Sequence, residues 1–102
     1  FIINERIPRK MKQFNVPTKI FWLESEYHDR TLMELEALDT PGLLAKIGKI
    51  FLDNNVMIHS AKVATIGEKA EDFFSISNCE REKLSPEQKQ QLKQILEQAL
   101  KQ

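Results

Sequence analysis

The stretch LDTPGLLAKIGKIFLDNNVMIHSAK, residues 38–62, leaves this chain few folds to choose from. It opens as the end of an apolar strand and turns at Asp39-Thr40-Pro41-Gly42. It runs on with Leu43, Leu44, Ile47, Ile50 and Phe51 at helical spacing, then returns to strand character at Val56 and Ile58. Thr40 is a good N-cap, and Pro41 suits the first helical position, where its missing N–H is no loss. A helix is therefore expected to start at the corner and bury those five apolar side chains. Asn54 and Asn55 tolerate the left-handed backbone that commonly ends a helix. A strand, a helix and a strand joined by turns this short commit the chain to a helix layer packed on a sheet.

The flanking runs extend the pattern. After Pro17, the β-branched and aromatic residues of Thr18 to Leu23 predict a strand over 17–23. SEYHDR then makes a polar link to a run in which Met33, Leu35 and Ala37 alternate with Glu34 and Glu36. That alternation predicts a half-buried strand, and the short link predicts an antiparallel hairpin. Past Ile58 the apolar phase slips by one residue to Ala61 and Val63, which predicts a β-bulge near His59 and Ser60. Gly67 marks a turn with Glu68 and Lys69, followed by a strand over 70–78 with Phe74 and Ile76 on one face and Phe73 on the other. Cys79 is expected to be a strand residue. Ser85, Pro86 and Gln88 spell a capping box with proline at the first position, and Leu92, Ile95, Leu96, Ala99 and Leu100 form the stripe of a last helix. Residues 1–16 mix Arg6, Arg9, Lys10 and Lys12 with scattered apolar side chains and are read as a connector with one helical turn after Pro8. The order strand, strand, helix, strand, strand, helix describes a two-layer α+β sandwich.

Composition narrows the function. Fifteen basic residues balance fifteen acidic ones in 102 residues, so no net field draws the chain toward nucleic acid or anionic lipid. There is neither a long apolar run nor a charged-then-apolar leader, which excludes a spanning helix and a signal peptide and suggests the cytoplasm. One cysteine makes no internal disulfide. A domain of this size buries only about 60 to 65% of its unfolded surface, which favours association with a second copy. The start at Phe1 suggests a segment of something larger. His28-Asp29 falls in the predicted hairpin loop without further ligands, so no metal site is expected. The glycine-rich phosphate loops are absent, and no catalytic residue can be singled out.

A binding site is easier to argue. Where a helix opens at Asp39-Thr40-Pro41-Gly42, its first backbone N–H groups lie unpaired at the positive helix end and suit a carboxylate. Gly42 permits close approach to the backbone, and Asp39 is suited to an ammonium group. Together these are the needs of a free α-amino acid. The alternative is that Asp39 only helps to cap the helix, and the residues leave both readings open.

ELEALDTPGLLAKIGKIFLDNNVMIHSAKV closely resembles an ACT domain, the amino-acid-sensing module that regulates many metabolic enzymes. It carries the family's D-x-P-G-L-L turn at Asp39 to Leu44 and an N-x-x-x-H strand at Asn55 to His59. TIGEKAEDFFSIS, together with the upstream IPRKMKQFNVPTKIFW, is similar to the C-terminal ACT domain of bacterial bifunctional uridylyltransferase/uridylyl-removing enzymes.

The resemblance implies a ferredoxin-like sandwich of four antiparallel strands with two helices on one face. Residues 17–102 would be the domain and 1–16 a linker from a preceding one. The family's common order is βαββαβ, and this chain ends on its second helix, so the strand at 17–23 is expected to replace the last strand in a circular permutation. The implied ligand is glutamine, and the implied output is control of PII uridylylation and deuridylylation by catalytic domains elsewhere in the parent chain. Those domains would use magnesium; this segment would hold no cofactor. Ligands of the family sit where the first turn of one domain faces the second strand of a partner, either a sister domain or a second copy. Asp39, Thr40, Gly42, Leu43 and Leu44 would then form one wall and Asn55, Val56 and His59 the other.

Rival readings fit less well. An acylphosphatase-like enzyme needs an arginine-bearing cradle after its first strand, and DTPGLL has no basic residue. An RNA-binding module would place stacking aromatics on one face of a central strand, whereas Phe73 and Phe74 are expected on opposite faces among acidic neighbours. A dimerisation domain without ligand is the remaining alternative.

Overall fold

The computed structural model describes residues 16–101. The expected connector lies outside the described residues except for Val16, and so does its helical turn. The elements are β1 (Lys19–Leu23), β2 (Thr31–Leu38), α1 (Leu43–Asp53), β3 (Val56–Ile66), β4 (Lys69–Asn78) and α2 (Pro86–Ala99).

Strict alternation makes β2 the spine of the sheet: Thr31, Met33, Leu35 and Ala37 are buried and the residues between them half-buried. β1 returns antiparallel along one side, with Ile20 opposite Leu35 and Trp22 opposite Met33. β4 pairs antiparallel with the other side of β2, and β3 pairs antiparallel with β4, giving the order β1-β2-β4-β3. β1 thus occupies the edge beside β2, as the permuted order requires.

One core joins the layers. Alternate residues of the strands (Ile20, Met33, Leu35, Ala37, Ala70, Phe74, Ile76) meet Leu43, Ile47 and Phe51 of α1 and Leu92 and Leu96 of α2, with Leu100 just past its end. Because a single parity of the sheet supplies these residues, both helices cover the same face. Phe51 meets Phe74 edge-to-face at 5.3 Å between ring centroids, an arrangement that adds about 0.5 to 1.5 kcal/mol to the burial itself. Thr31, a buried polar residue in this core, accepts the Leu84 N–H on Oγ1 at 3.0 Å. The connection into α2 is thereby tied to the start of β2.

The expected bulge is present. Ile58 pairs with Ile76 and Ser60 with Ser75, leaving His59 as the extra residue. Beyond it, Ala61 to Ile66 are all exposed, so the helix layer does not reach the outer half of β3. At the hairpin tip Gly67 takes φ 62°, the left-handed backbone that glycine adopts without strain.

Cys79 corrects an expectation: it lies just past β4, in an exposed turn. The Asn78 side chain ends the strand there by accepting the Glu80 and Glu82 N–H groups on Oδ1, each at 2.9 Å. Cys79 Sγ donates to Asn55 O at 3.3 Å. Among the described residues no helix is long and apolar enough to cross a membrane.

Candidate functional site

The corner after β2 is built differently from its expected form. The Leu43 N–H donates to Thr40 O at 3.1 Å across Pro41 and Gly42, and Gly42 sits at φ 77°, ψ 9°. Proline second and a left-handed glycine third make a type II turn. The first bond of the helix proper runs from Lys46 N–H to Gly42 O at 3.0 Å. Thr40 is therefore the first residue of a turn and not the N-cap of α1. Gly42 takes that position, and no side chain caps the helix. The Asp39 carboxylate does not cap α1, and its N–H extends the sheet ladder to Glu68 O at 2.9 Å.

Gly42 is required for its conformation and not for lack of room, because a Cβ placed there meets nothing within 4 Å. Asp39, Thr40, Pro41 and Gly42 are all exposed. Leu43 and Leu44 part company: Leu43 is a core residue, whereas Leu44 is 48% exposed and not part of the expected buried stripe. A cavity of about 310 Å³ opens beside the corner, lined by Thr40, Leu43, Lys46, Leu100 and Lys101 among others. Its size is at the lower end for small-ligand pockets. Lys46 Nζ, at its rim, donates to Ala99 O at 3.3 Å.

Asn55, Val56 and His59 lie past the far end of α1, roughly 16 Å away at 1.5 Å per residue. The two groups of expected site residues therefore do not meet within one chain. Asn55 takes φ 58° directly after the helix, as its role in ending the helix predicts, and Val56 packs partly against the core. His59, the bulged residue, places Nε2 2.8 Å from Ser77 Oγ. Ser77 gives its one hydroxyl proton to Asn78 O at 2.8 Å, so its oxygen accepts from His59. That fixes Nε2 as the protonated nitrogen and, in the neutral ring, leaves Nδ1 as an acceptor. A second cavity of about 310 Å³, lined by Asn54, Asn55, Val56, Gln88 and Gln91 among others, opens at this end.

Asp72 was missed. On β4 it follows the phase of Ala70, Phe74 and Ile76, and its side chain is 1% exposed. Oδ1 is buried without a hydrogen-bond partner. Burial pushes this carboxyl above its ordinary range and the nearby Asp39 charge adds to the rise, while a backbone hydrogen bond from Ala64 opposes it. The signal was available in the sequence: an aspartate in the apolar phase of a strand.

The opposite sheet face carries ordinary surface chemistry. Lys69 Nζ lies 3.2 Å from Glu71 and 3.6 Å from Glu36. Glu34 is raised by burial and then by Glu36 beside it. His28 is exposed in the β1–β2 loop. Among the described residues no group of three or more His, Cys, Asp or Glu is placed to hold a metal ion.

A four-stranded antiparallel sheet with both helices on one face is the architecture that the resemblance implies. The ACT domain family model matches residues 31–99, from β2 through α2. The chain belongs to the ACT domain family. The match begins at the first residue of β2, so β1 stands ahead of it in sequence while completing its sheet. This ACT domain is 47% identical over 95 residues to the bifunctional uridylyltransferase/uridylyl-removing enzyme of Vibrio campbellii, covering 93% of the chain and 11% of the relative. It is 48% identical over 93 residues to the enzyme of that name from Photobacterium profundum, covering 91% and 11%. With the Psychrobacter sp. enzyme it shares 40% over 95 residues, covering 93% and 11%. The chain thus spans about a tenth of the length of these curated relatives.

Proposed function

We propose that this ACT domain is a regulatory module that binds free glutamine at the Asp39 to Leu44 corner. Through that binding it controls catalytic domains of a longer parent chain that uridylylate and deuridylylate the PII protein. The observation that carries the reading is the start of α1, with no side-chain cap and no acidic residue in its first turn. Its amide donors and positive end are left for an external anion such as an α-carboxylate. Asp39, exposed beside it, suits the ammonium group. That its relatives are bifunctional uridylyltransferase/uridylyl-removing enzymes supports uridylyl transfer and removal as the output.

Because Asn55, Val56 and His59 sit at the far end of α1, the second wall comes from another ACT unit, a sister domain or a second copy. The functional unit runs over 17–102, with 1–16 as its connector, and works in the cytoplasm. Magnesium belongs to the parent's catalytic domains. A sensor of a metabolite pool needs an affinity on the order of a millimolar, about 4 kcal/mol.

Calorimetric titration of the chain with glutamine, with asparagine and glutamate as controls, tests the reading. Saturable binding selective for glutamine supports it. Absence of heat up to about ten millimolar ligand, well above that affinity, would instead favour a domain that serves only in assembly.

A further inference from the structure

Both helices cover one face of the sheet, and the other face carries apolar residues that neither helix packs against. The register lays that open face out in rows. Leu23, Leu32, Ser75 and Ser60 share one row, and Phe21, Glu34, Phe73 and Lys62 share the next. Lys19, Glu36, Glu71 and Ala64 make the third. Phe21 and Leu23 are each 41% exposed and Phe73 is 38% exposed. Over the first two rows opens a cavity of about 250 Å³, lined by Leu23, Leu32, Lys62 and Phe73 among others.

Glu34 stands between the two phenylalanines, its cross-strand neighbours on either side. Along the face its companions are acids: Glu36, two residues on, and Glu71 opposite Glu36. Lys69 serves those two, and among the described residues no ion pair reaches Glu34. Lys19 and Lys62, on the outer strands, form no ion pair with a described residue either. The centre of the face is thus short of one cation. A cation placed there gains from the carboxylate and from the two rings beside it. The cavity in the adjoining row asks for an apolar side chain. The complementary partner is a segment that mixes cations with apolar residues.

The chain carries such a segment itself. Residues 1–15 hold Arg6, Arg9, Lys10 and Lys12 against the single acid Glu5, with Ile7, Met11 and Phe14 among them. The rest of the chain has eleven basic residues and fourteen acidic ones, so segment and domain are opposite in sign. The segment leads into β1, whose first residue, Lys19, belongs to the third row. From Arg9 to Lys19 the chain can span up to about 33 Å, and the rows are only about 7 Å apart.

We infer that residues 6–14 dock on the open sheet face, with an arginine or lysine paired to Glu34 between Phe21 and Phe73 and an apolar side chain seated against Leu23 and Leu32. Nuclear Overhauser contacts in the isotope-labelled chain test this, with and without the triple substitution Arg9→Glu, Lys10→Glu and Lys12→Glu. The unaltered chain is expected to show contacts from Ile7, Met11 or Phe14 to the rings of Phe21 and Phe73 and the methyls of Leu23. The triple variant loses them while its strand amides keep their dispersion, and Glu34→Gln weakens them from the other side. A mixture of labelled and unlabelled chains separates contacts within one chain from contacts between copies. Contacts found only between copies would give the face to a second chain and overturn the inference. So would their absence from the unaltered chain, or their survival in the triple variant.

Discussion

The two helices of this domain begin in opposite ways. α2 opens with a complete capping box: Ser85 Oγ accepts the Gln88 N–H at 3.1 Å, and Gln88 Oε1 accepts the Ser85 N–H at 2.8 Å. Pro86 removes a donor that would otherwise lack a partner, and Glu87 sets a negative charge against the positive end. α1 has none of these; it opens on a left-handed glycine, uncapped, with its first-turn amides unclaimed by any side chain. The chain plainly encodes a well-made helix start, so the bare one forgoes local stability, and under the proposed function its donors are kept for a ligand's carboxylate.

The largest expected effect comes from the buried acid of β4, Asp72. Asp72→Asn raises stability at neutral pH, as measured by urea unfolding, because the amide has no charge to bury. The pH dependence has a definite sign. Because the folded-state pKa lies above the unfolded value, the folded chain holds more protons in the interval between the two. Stability of the unaltered chain falls as pH rises through that interval and stays low above it, and the asparagine variant loses this component. The variant's advantage therefore grows from acid to neutral pH.

Next comes Gly42→Ala, which costs about 1 to 2 kcal/mol because an L-residue is forced into left-handed backbone, with no steric contribution from the open space around it. Glutamine binding should weaken with it. Ser85→Ala removes the capping box of α2 at a cost of about 1 kcal/mol and should leave the ligand titration unchanged. Smallest is Ala45→Glu, which gives α1 the first-turn acid that α2 already has. It should add about 0.3 to 1 kcal/mol in low salt while weakening glutamine binding, since the new carboxylate competes for the same end. If Ala45→Glu left binding intact, the contrast between the two helix starts would lose its functional meaning.

Much of the fold was legible where local chemistry and global pairing agree. The slip of apolar phase after Ile58 announced the bulge at His59, Ser85-Pro86-x-Gln88 announced the cap, and the short polar link announced the β1–β2 hairpin. Errors arose where one local pattern serves two structures. Thr-Pro reads equally as N-cap plus first helical residue or as the opening of a type II turn, and only the left-handed backbone of Gly42 decides. Leu44 fits the apolar stripe of α1 by spacing, yet only Leu43, Ile47 and Phe51 of that stripe are buried and Leu44 is left exposed. Cys79 continued the strand on paper, but the Asn78 side chain captures the next amides and ends it. One wall of the candidate site, Asn55, Val56 and His59, lies an entire helix away from the corner, a separation that motif spacing alone does not reveal. Asp72 stood in the apolar phase of β4 in plain view and was passed over for its aromatic neighbours.

The central claim is that the uncapped end of α1 receives an amino acid's carboxylate. It is tested most directly by following the backbone amides of an isotope-labelled chain during titration with glutamine. The account predicts saturable shifts that are largest at Leu44 and Ala45, with the amides of Glu87 and Gln88 at the capped start of α2 unmoved. Amides of Leu44 and Ala45 that stay silent to about ten millimolar glutamine, well above the expected affinity, or that move no more than those of α2, would contradict it.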